Sequence, residues 1–260
     1  MNTIYDMYNL HTIFNVIDEN VKFDVLNKRA KEQINIAKQW CIKYDMPIKK
    51  YYQQEEKEPI IYNKFAEYLK YFPDRAGVNK SHLQMSDIGL YSITPHWEAK
   101  DTVELIRSNI KGDLKNMTIT EPNGGMGGNT ILFSEAFKNV NVVEYSKLHC
   151  DILRNNLDVY GCKNTTLYCW DYTDIMKKLT QDVIFMDPPW GGPAYKYIDK
   201  LTLHIGKYTV DEILNRVTTK LAVIKAPFNF DIEYFKKHVT NTKSIKVQKI
   251  RNYIIIIVKY

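Results

Sequence analysis

The sequence predicts an α/β protein built on a doubly wound, mostly parallel, seven-stranded sheet with a helical appendage in front of it. Three observations predict this. From about residue 115 onward, short β-branched runs alternate with stretches of helical spacing, the pattern of successive βαβ units. The last stretch, "IKVQKIRNYIIIIVKY", has two strand-like halves and no helix between them, which reads as an antiparallel pair closing the sheet edge. Residues 1–75 hold mostly helix-like segments without alternation, so the chain divides into an appendage at 1–75 and an α/β domain at 76–260.

Taken in order, "NKRAKEQINIAKQWCIKY" and "IIYNKFAEYLKYF" carry the helical spacing of the appendage. In "YSITPHW", Thr94 reads as an N-cap and Pro95 as the first position of a helix that runs to about Lys111. "MTIT" (117–120), "VNVV" (140–143), "TTLYC" (165–169), "DVIFM" (182–186) and "KLAVIK" (220–225) are the expected parallel strands. Between them, "GGNTILFSEAF", "KLHCDILRNNLDVYG" and "VDEILNRVTTK" have helical spacing, and Gly161 is a C-cap for the second.

Composition excludes some classes of protein. Of the 260 residues 45% are hydrophobic and 25% charged, a globular balance. No apolar run approaches the roughly 20 residues of a membrane helix. The N-terminus lacks the basic-then-apolar pattern of a secretion signal, so an intracellular protein is expected. Cys41, Cys150, Cys162 and Cys169 have no metal-ligand spacing and read as buried free thiols; no metal is expected. The net charge of +6 permits an anionic partner without demanding one. Lys236, Lys237, Lys243, Lys246, Lys249 and Arg251 read as a solvated basic face, and His96, His149 and His204 are assigned no role.

"TITEPNGGMGGNT" is a strand, an acid, a glycine-rich turn and a helix start. Its glycines, Gly124, Gly125 and Gly127 among them, let backbone approach a ligand. Thr130 stands where a dinucleotide fingerprint needs glycine, and no Gly-Lys-Ser/Thr follows. Glu121 at the strand tip would repel a pyrophosphate but suits an ammonium. The next strand ends at Glu144, twenty residues after Gly124, where a carboxylate can hold a ribose diol. Asp171, after the third strand, is placed to accept from an adenine amino group. Ammonium, ribose and adenine together describe S-adenosylmethionine.

The fourth strand ends in "DPPWGGPAY". An exocyclic amine on a base is a poor nucleophile, because its lone pair is delocalised into the ring. Acceptors that hold its two hydrogens bring the lone pair toward a methyl donor, and positioning then supplies most of the catalysis. Asp187 offers a carboxylate, Pro188 a carbonyl on a backbone of fixed φ, and Trp190 a flat face for stacking.

"DPPWGGPAY" resembles the signature of the trimethylguanosine synthase family, which dimethylates the 2-amino group of the 7-methylguanosine RNA cap. "EPNGGMGGNT" is similar to the family's cofactor loop, "RNN" (154–156) and "NLDVYG" fall at the matching distance after Glu144, and "YSITP" resembles its aromatic-Ser-x-Thr-Pro entry. The resemblance covers roughly 90–260. It implies a Rossmann-like methyltransferase fold and S-adenosyl-L-methionine as cofactor, leaving as S-adenosyl-L-homocysteine. Glu121, Gly124, Gly125, Gly127, Asn129, Thr130, Glu144 and Asp171, with Thr94 and Asp187, would surround that cofactor. Asp187, Pro188 and Trp190 would carry the transfer. Trp190, Asn156, Tyr91 and Tyr195 would hold the cap base, the cationic ring adding cation–π attraction to stacking. The implied partner is 7-methylguanosine-capped RNA, handled by a monomer without a membrane. The implied compartment is the nucleus, or the cytoplasm for a virus- or parasite-encoded copy.

The match departs at named positions. Asp187 stands where familiar members mostly have serine, and Glu121 and Gly124 where the family loop usually has Asp and Cys. "APFNF" puts Phe228 where a cap-phosphate arginine is expected, with Lys225 or Lys80 as candidate substitutes. The Asp-Pro-Pro-Trp tetrad is shared with adenine N6-methyltransferases, so an adenine-N6 or cytosine-N4 methyltransferase on DNA or RNA stays open, as does a non-catalytic cap-binding module.

Overall fold

The computed structural model describes Ile60–Ile61 and residues 67–260, so most of the expected helical appendage lies outside the described residues. The main sheet has seven strands: β1 (Thr118–Glu121), β2 (Asn139–Val143), β3 (Thr165–Tyr168), β4 (Val183–Met186), β5 (Leu221–Ala226), β6 (Ser244–Ile250) and β7 (Tyr253–Lys259). Their spatial order is β6-β7-β5-β4-β1-β2-β3. All neighbours from β5 to β3 run parallel, and β7 is antiparallel to both β5 and β6.

The expected antiparallel pair closes the sheet edge. Its inner strand is β7, which inserts between β5 and β6, pairing Ile254 with Ala226 and Ile257 with Val223. The physical reason is in the residues. Tyr253–Val258 is buried on both faces and needs a partner on each side, whereas β6 is polar and largely exposed. The edge strand therefore carries Lys246 and Lys249, a charged edge that resists pairing with another chain. The basic residues 236–251 are solvent-exposed, as expected of a solvated face.

Five labelled helices cover the sheet: α1 (His96–Asn109), α2 (Gly128–Ala136), α3 (Lys147–Val159), α4 (Val210–Leu214) and α5 (Ile232–His238). On one face Val103 and Ile106 of α1 and Phe133 of α2 pack on Ile119, Phe185, Val223 and Ile255. Phe133 meets Phe185 edge-on at 5.3 Å, a geometry worth about 0.5–1.5 kcal/mol beyond its buried area. On the other face Ile213 of α4 and Phe235 of α5 cover Ile184, Met186 and Ile256. A third cluster joins α3 to the chain before the sheet, where Tyr68, Phe72, Leu83 and Met85 meet Ile152, Leu153 and Tyr160. Gln84–Met85 pairs antiparallel with Ile60–Ile61.

Helix ends follow local chemistry. Ser146 caps α3 by accepting from His149 N at 3.3 Å, and Gly161 follows its C-terminus with φ +63°. Thr209 and Glu212 form a reciprocal capping box on α4. Two expectations need correction. α4 ends at Leu214 and does not continue through "NRVTTK". Thr94 does not cap α1: Pro95 is the N-cap without a side-chain bond, and the Thr94 hydroxyl goes elsewhere. Cys150 and Cys169 are paired as a disulfide, Cα–Cα 5.8 Å, which corrects the reading of both as free thiols. They lie on α3 and just after β3, brought together because β2 and β3 are neighbours. Cys162 is free, and Cys41 lies outside the described residues.

Candidate active site

A parallel sheet sends the C-terminal ends of β1 to β5 to one edge, and the strand order reverses between β1 and β4. Glu121 ends β1, Glu144 follows β2, Asp171 lies three residues past β3 and Asp187 follows β4. These four acids thus share one edge, with the switch point between Glu121 and Asp187.

The loop after β1 turns on Gly127, at φ +93°, into α2. A side chain on Gly128 would run into the carbonyl oxygen of Thr94, so glycine lets the chain entering α1 pass over the α2 N-terminus. Glu121 is only 1% exposed. Burial pushes its carboxyl up to about 8 against hydrogen bonds from Thr130 and Asn129, and the negative charges of Asp187 and Glu144 push the same way. Thr130 Oγ1 donates to Glu121 Oε2 at 2.6 Å. Glu121 Oε1, Asn123 Oδ1 and Asn129 Oδ1 are buried acceptors without a hydrogen-bond partner among the described residues. Three buried acceptors, from the end of β1, the loop after it and the first turn of α2, fit the three N–H donors of an ammonium group.

Glu144 is oriented by the backbone. Its Oε2 accepts from Gly125 N and its Oε1 from Ser146 N, both at 2.9 Å. His149, which the sequence left without a role, stands 3.9 Å from Glu144 Oε1 and 3.0 Å from Ser86 Oγ, linking the acid to the segment that carries Tyr91. Asp171 caps the short turn Tyr172–Ile175, its Oδ1 accepting from Thr173 N and Oγ1. Gly206 backs it so closely that a Cβ there would lie 2.5 Å from Oδ1.

At the β4 end, Trp190 is half-buried and meets Tyr195 edge-on at 5.2 Å, and its Nε1 is buried without a partner among the described residues. Asn229 Nδ2 donates to Tyr195 O at 2.7 Å and Ile198 O at 2.6 Å, tying this turn to the end of β5. Tyr91 is 62% exposed on the short helix Gly89–Ser92. Asp187 Oδ2 accepts from Thr94 Oγ1 at 3.2 Å and lies 3.1 Å from Lys225 Nζ.

Three expected cap contacts are corrected. Asn156 is neither a base ligand nor a solvent-facing residue. It is completely buried, with Nδ2 donating to Gln84 O and Met126 O and Oδ1 accepting from Gln84 N and Asn155 Nδ2, which uses its full capacity. Lys80 does not reach toward phosphates, because its ammonium donates to Leu69 O and Phe72 O and pairs with Asp74. Lys225 is likewise held under the loop by Asp187, Thr94 and Glu98. Phe228, just past β5, is 55% exposed. Asn229, His149 and the Lys225 contacts escaped the sequence, because each depends on strand neighbours distant in the chain.

Fold and site together define an S-adenosylmethionine-dependent methyltransferase of the Rossmann-like class. The family model described as RNA cap guanine-N2 methyltransferase matches residues 116–256, more than half of the chain, and the chain belongs to that family. Over 215 residues it is 27% identical to an uncharacterized protein of Acanthamoeba polyphaga mimivirus, covering 73% of this chain and 84% of that one. Over 153 residues it is 28% identical to the trimethylguanosine synthase of Schizosaccharomyces pombe, covering 55% of this chain and 62% of the yeast enzyme. Among solved structures it is similar to the 16S rRNA N2 methyltransferase RsmC of T. thermophilus, in complex with AdoMet and guanosine. There the TM-score is 0.52 at 13% identity, over 62% of this chain and 42% of that one, a likeness of fold.

Proposed function

We propose that this protein methylates the exocyclic N2 amine of a 7-methylguanosine RNA cap, giving 2,7-dimethyl- and/or 2,2,7-trimethylguanosine. The observation that carries this reading is Trp190, a half-buried indole beside Asp187 and Pro188 at the end of β4, next to the switch point. The indole stacks on the cationic base, and attraction of the cation for the ring separates it from plain guanine by about 2 kcal/mol when desolvated. Asp187 and the Pro188 carbonyl accept hydrogen bonds from the two N–H groups of the amine, and the one proton displaced by the incoming methyl leaves to water. Glu121, Asn123 and Asn129 hold the ammonium of the cofactor, Glu144 its ribose and Asp171 its adenine. When bound, S-adenosylmethionine supplies the electrophilic methyl group. The name of the fission-yeast relative supports the cap as substrate.

The test is methyl transfer from labelled S-adenosylmethionine to a 7-methylguanosine cap dinucleotide, its unmethylated counterpart and an uncapped adenine-rich oligonucleotide. Label on the first alone is expected, with mass spectrometry counting the methyl groups, and Trp190→Ala should lower kcat/KM by about 10- to 100-fold. Label on the oligonucleotide would assign the protein to base methylation of uncapped nucleic acid. Cap binding without transfer to any acceptor would assign it to a binding module.

A further inference from the structure

Lys225 sits on β5 facing α1, with a side chain only 11% exposed. Its ammonium lies 3.1 Å from Asp187 Oδ2, donates to Thr94 Oγ1 at 3.1 Å, and stands 3.6 Å from Glu98 Oε2 and 4.9 Å from the centre of the Tyr253 ring. A buried lysine is expensive unless paired, and here one cation meets two carboxylates and an aromatic face. We propose that Lys225 is a positioning residue for methyl transfer: it holds Asp187 as an ionised, directional acceptor for one hydrogen of the substrate amine. This role presupposes the amine-methylating function proposed above.

The geometry explains how. The contacts to Asp187 fall on one oxygen, since both Thr94 and Lys225 engage Oδ2. A carboxylate is symmetric about its last torsion, and tying back one oxygen leaves the other to accept an N–H from a fixed direction. Charge gives the second argument. The groups around Asp187 and Lys225 are Glu121 from β1, Thr94 before α1, Glu98 in its first turn and Tyr253 from β7. Among these Lys225 supplies the positive charge, shared between Asp187 and Glu98. Without it, Asp187 would keep the Thr94 hydroxyl alone on Oδ2 and lose the cation that fixes the direction of its carboxylate. The same contacts explain why a lysine at the end of β5 cannot serve the RNA backbone: its ammonium is held below the loop.

The test compares wild type, Lys225→Met, Asp187→Asn and the double variant on the capped dinucleotide, with cofactor affinity measured by calorimetry on the same samples. Lys225→Met is expected to bind S-adenosylhomocysteine within about threefold of wild type while its kcat falls on the order of 10²-fold. The double variant should recover at least about tenfold over Lys225→Met. An amide keeps a carbonyl acceptor, needs no counter-ion, and can donate to the Thr94 hydroxyl that has lost Lys225. The loss of a merely structural lysine would not be rescued by the change at Asp187. Wild-type kcat in Lys225→Met, or losses that multiply in the double variant, would overturn the proposal. Should Lys225→Met not fold, Lys225→Gln keeps the stem and is held to the same pattern. If the wild type labels only the uncapped oligonucleotide, the cap reading fails, and the same series on that acceptor decides the role of Lys225. A wild type silent on every acceptor overturns both.

Discussion

The hydroxyl of Thr130 donates to Glu121 Oε2 at 2.6 Å, and the other oxygen of this buried carboxyl has no hydrogen-bond partner among the described residues. Burial is the main reason that the carboxyl is pushed from 4.5 to about 8. An unfolded chain releases this proton near 4.5 and the folded one holds it to about 8, so the stability tied to Glu121 is fully present below the first value and lost as pH rises through the second. Glu121→Gln removes the titration. Thermal melts of the ligand-free proteins should show the variant gaining on the wild type by about 1.4 kcal/mol per pH unit inside that window. Parallel melting curves would mean that Glu121 is not buried as a neutral acid.

Cofactor binding should show the opposite dependence. An ammonium ligand needs the ionised form of Glu121, so binding below about pH 8 must expel the proton that this carboxyl holds. Affinity for S-adenosylhomocysteine should rise by about tenfold per pH unit toward that value and fall again once the ligand's own amine loses its charge. Calorimetry in two buffers of different ionisation enthalpy will register the proton released near neutrality. Glu121→Gln should bind weakly and without that release. A pH-independent wild type would place the ammonium elsewhere.

The acids of the site are legible in the sequence for a geometric reason. A parallel sheet turns the end of each strand into a point on one edge, so Glu121, Glu144, Asp171 and Asp187 can be ordered in space from order in the chain. Trp190 is visible because an indole after two prolines is an uncommon surface. What stays hidden depends on neighbours that no local pattern encodes. Lys225 ends an apolar run and reads as a cation free to reach phosphates; only α1 crossing above it, with Thr94 and Glu98, makes it a partner of Asp187. Asn156 lies on the α3 face covered by residues 83–85, and that cover has no periodicity to announce it. Strand order at the C-terminal end is equally silent, since a hairpin's pattern does not say which of its strands meets β5.

Asn156 joins Gln84 to Met126 in the cofactor loop, and its substitution should separate scaffold from ligand contact. Asn156→Ala strands three backbone polar groups and is expected to cost roughly 3 kcal/mol, or about 6–12 °C in Tm. The Met126 side of the loop should then slacken, weakening cofactor affinity several-fold while the KM for capped dinucleotide at saturating cofactor stays unchanged. Asn156→Asp should be no better, because a carboxylate cannot donate to the two carbonyls. A selective rise in cap KM with normal melting would return Asn156 to the cap pocket.

Phe228 follows β5 at the site edge, 55% exposed, with Lys225 engaged below it and Lys80 bound to Leu69 and Phe72. No lysine proposed from the sequence for the cap phosphates is therefore free to hold them. If the phosphates of a bound cap pass over the end of β5, an arginine at this position would reach them with a planar, doubly donating head. Phe228→Arg should then lower the KM for capped RNA severalfold with kcat unchanged. A plot of log(kcat/KM) against log salt should steepen by about 0.7–0.9 for the single added phosphate contact. The exposed ring makes the change nearly neutral for folding, so melting should shift little. Phe228→Ala tests the other use of the ring: if Phe228 stacks on the nucleotide after the cap, the alanine variant should lose about 1–3 kcal/mol on capped oligonucleotides and nothing on a cap without a following base. An unaltered salt slope in Phe228→Arg would route the phosphates away from β5. The surface to probe next would then be the exposed lysines of β6, two strands over in the sheet.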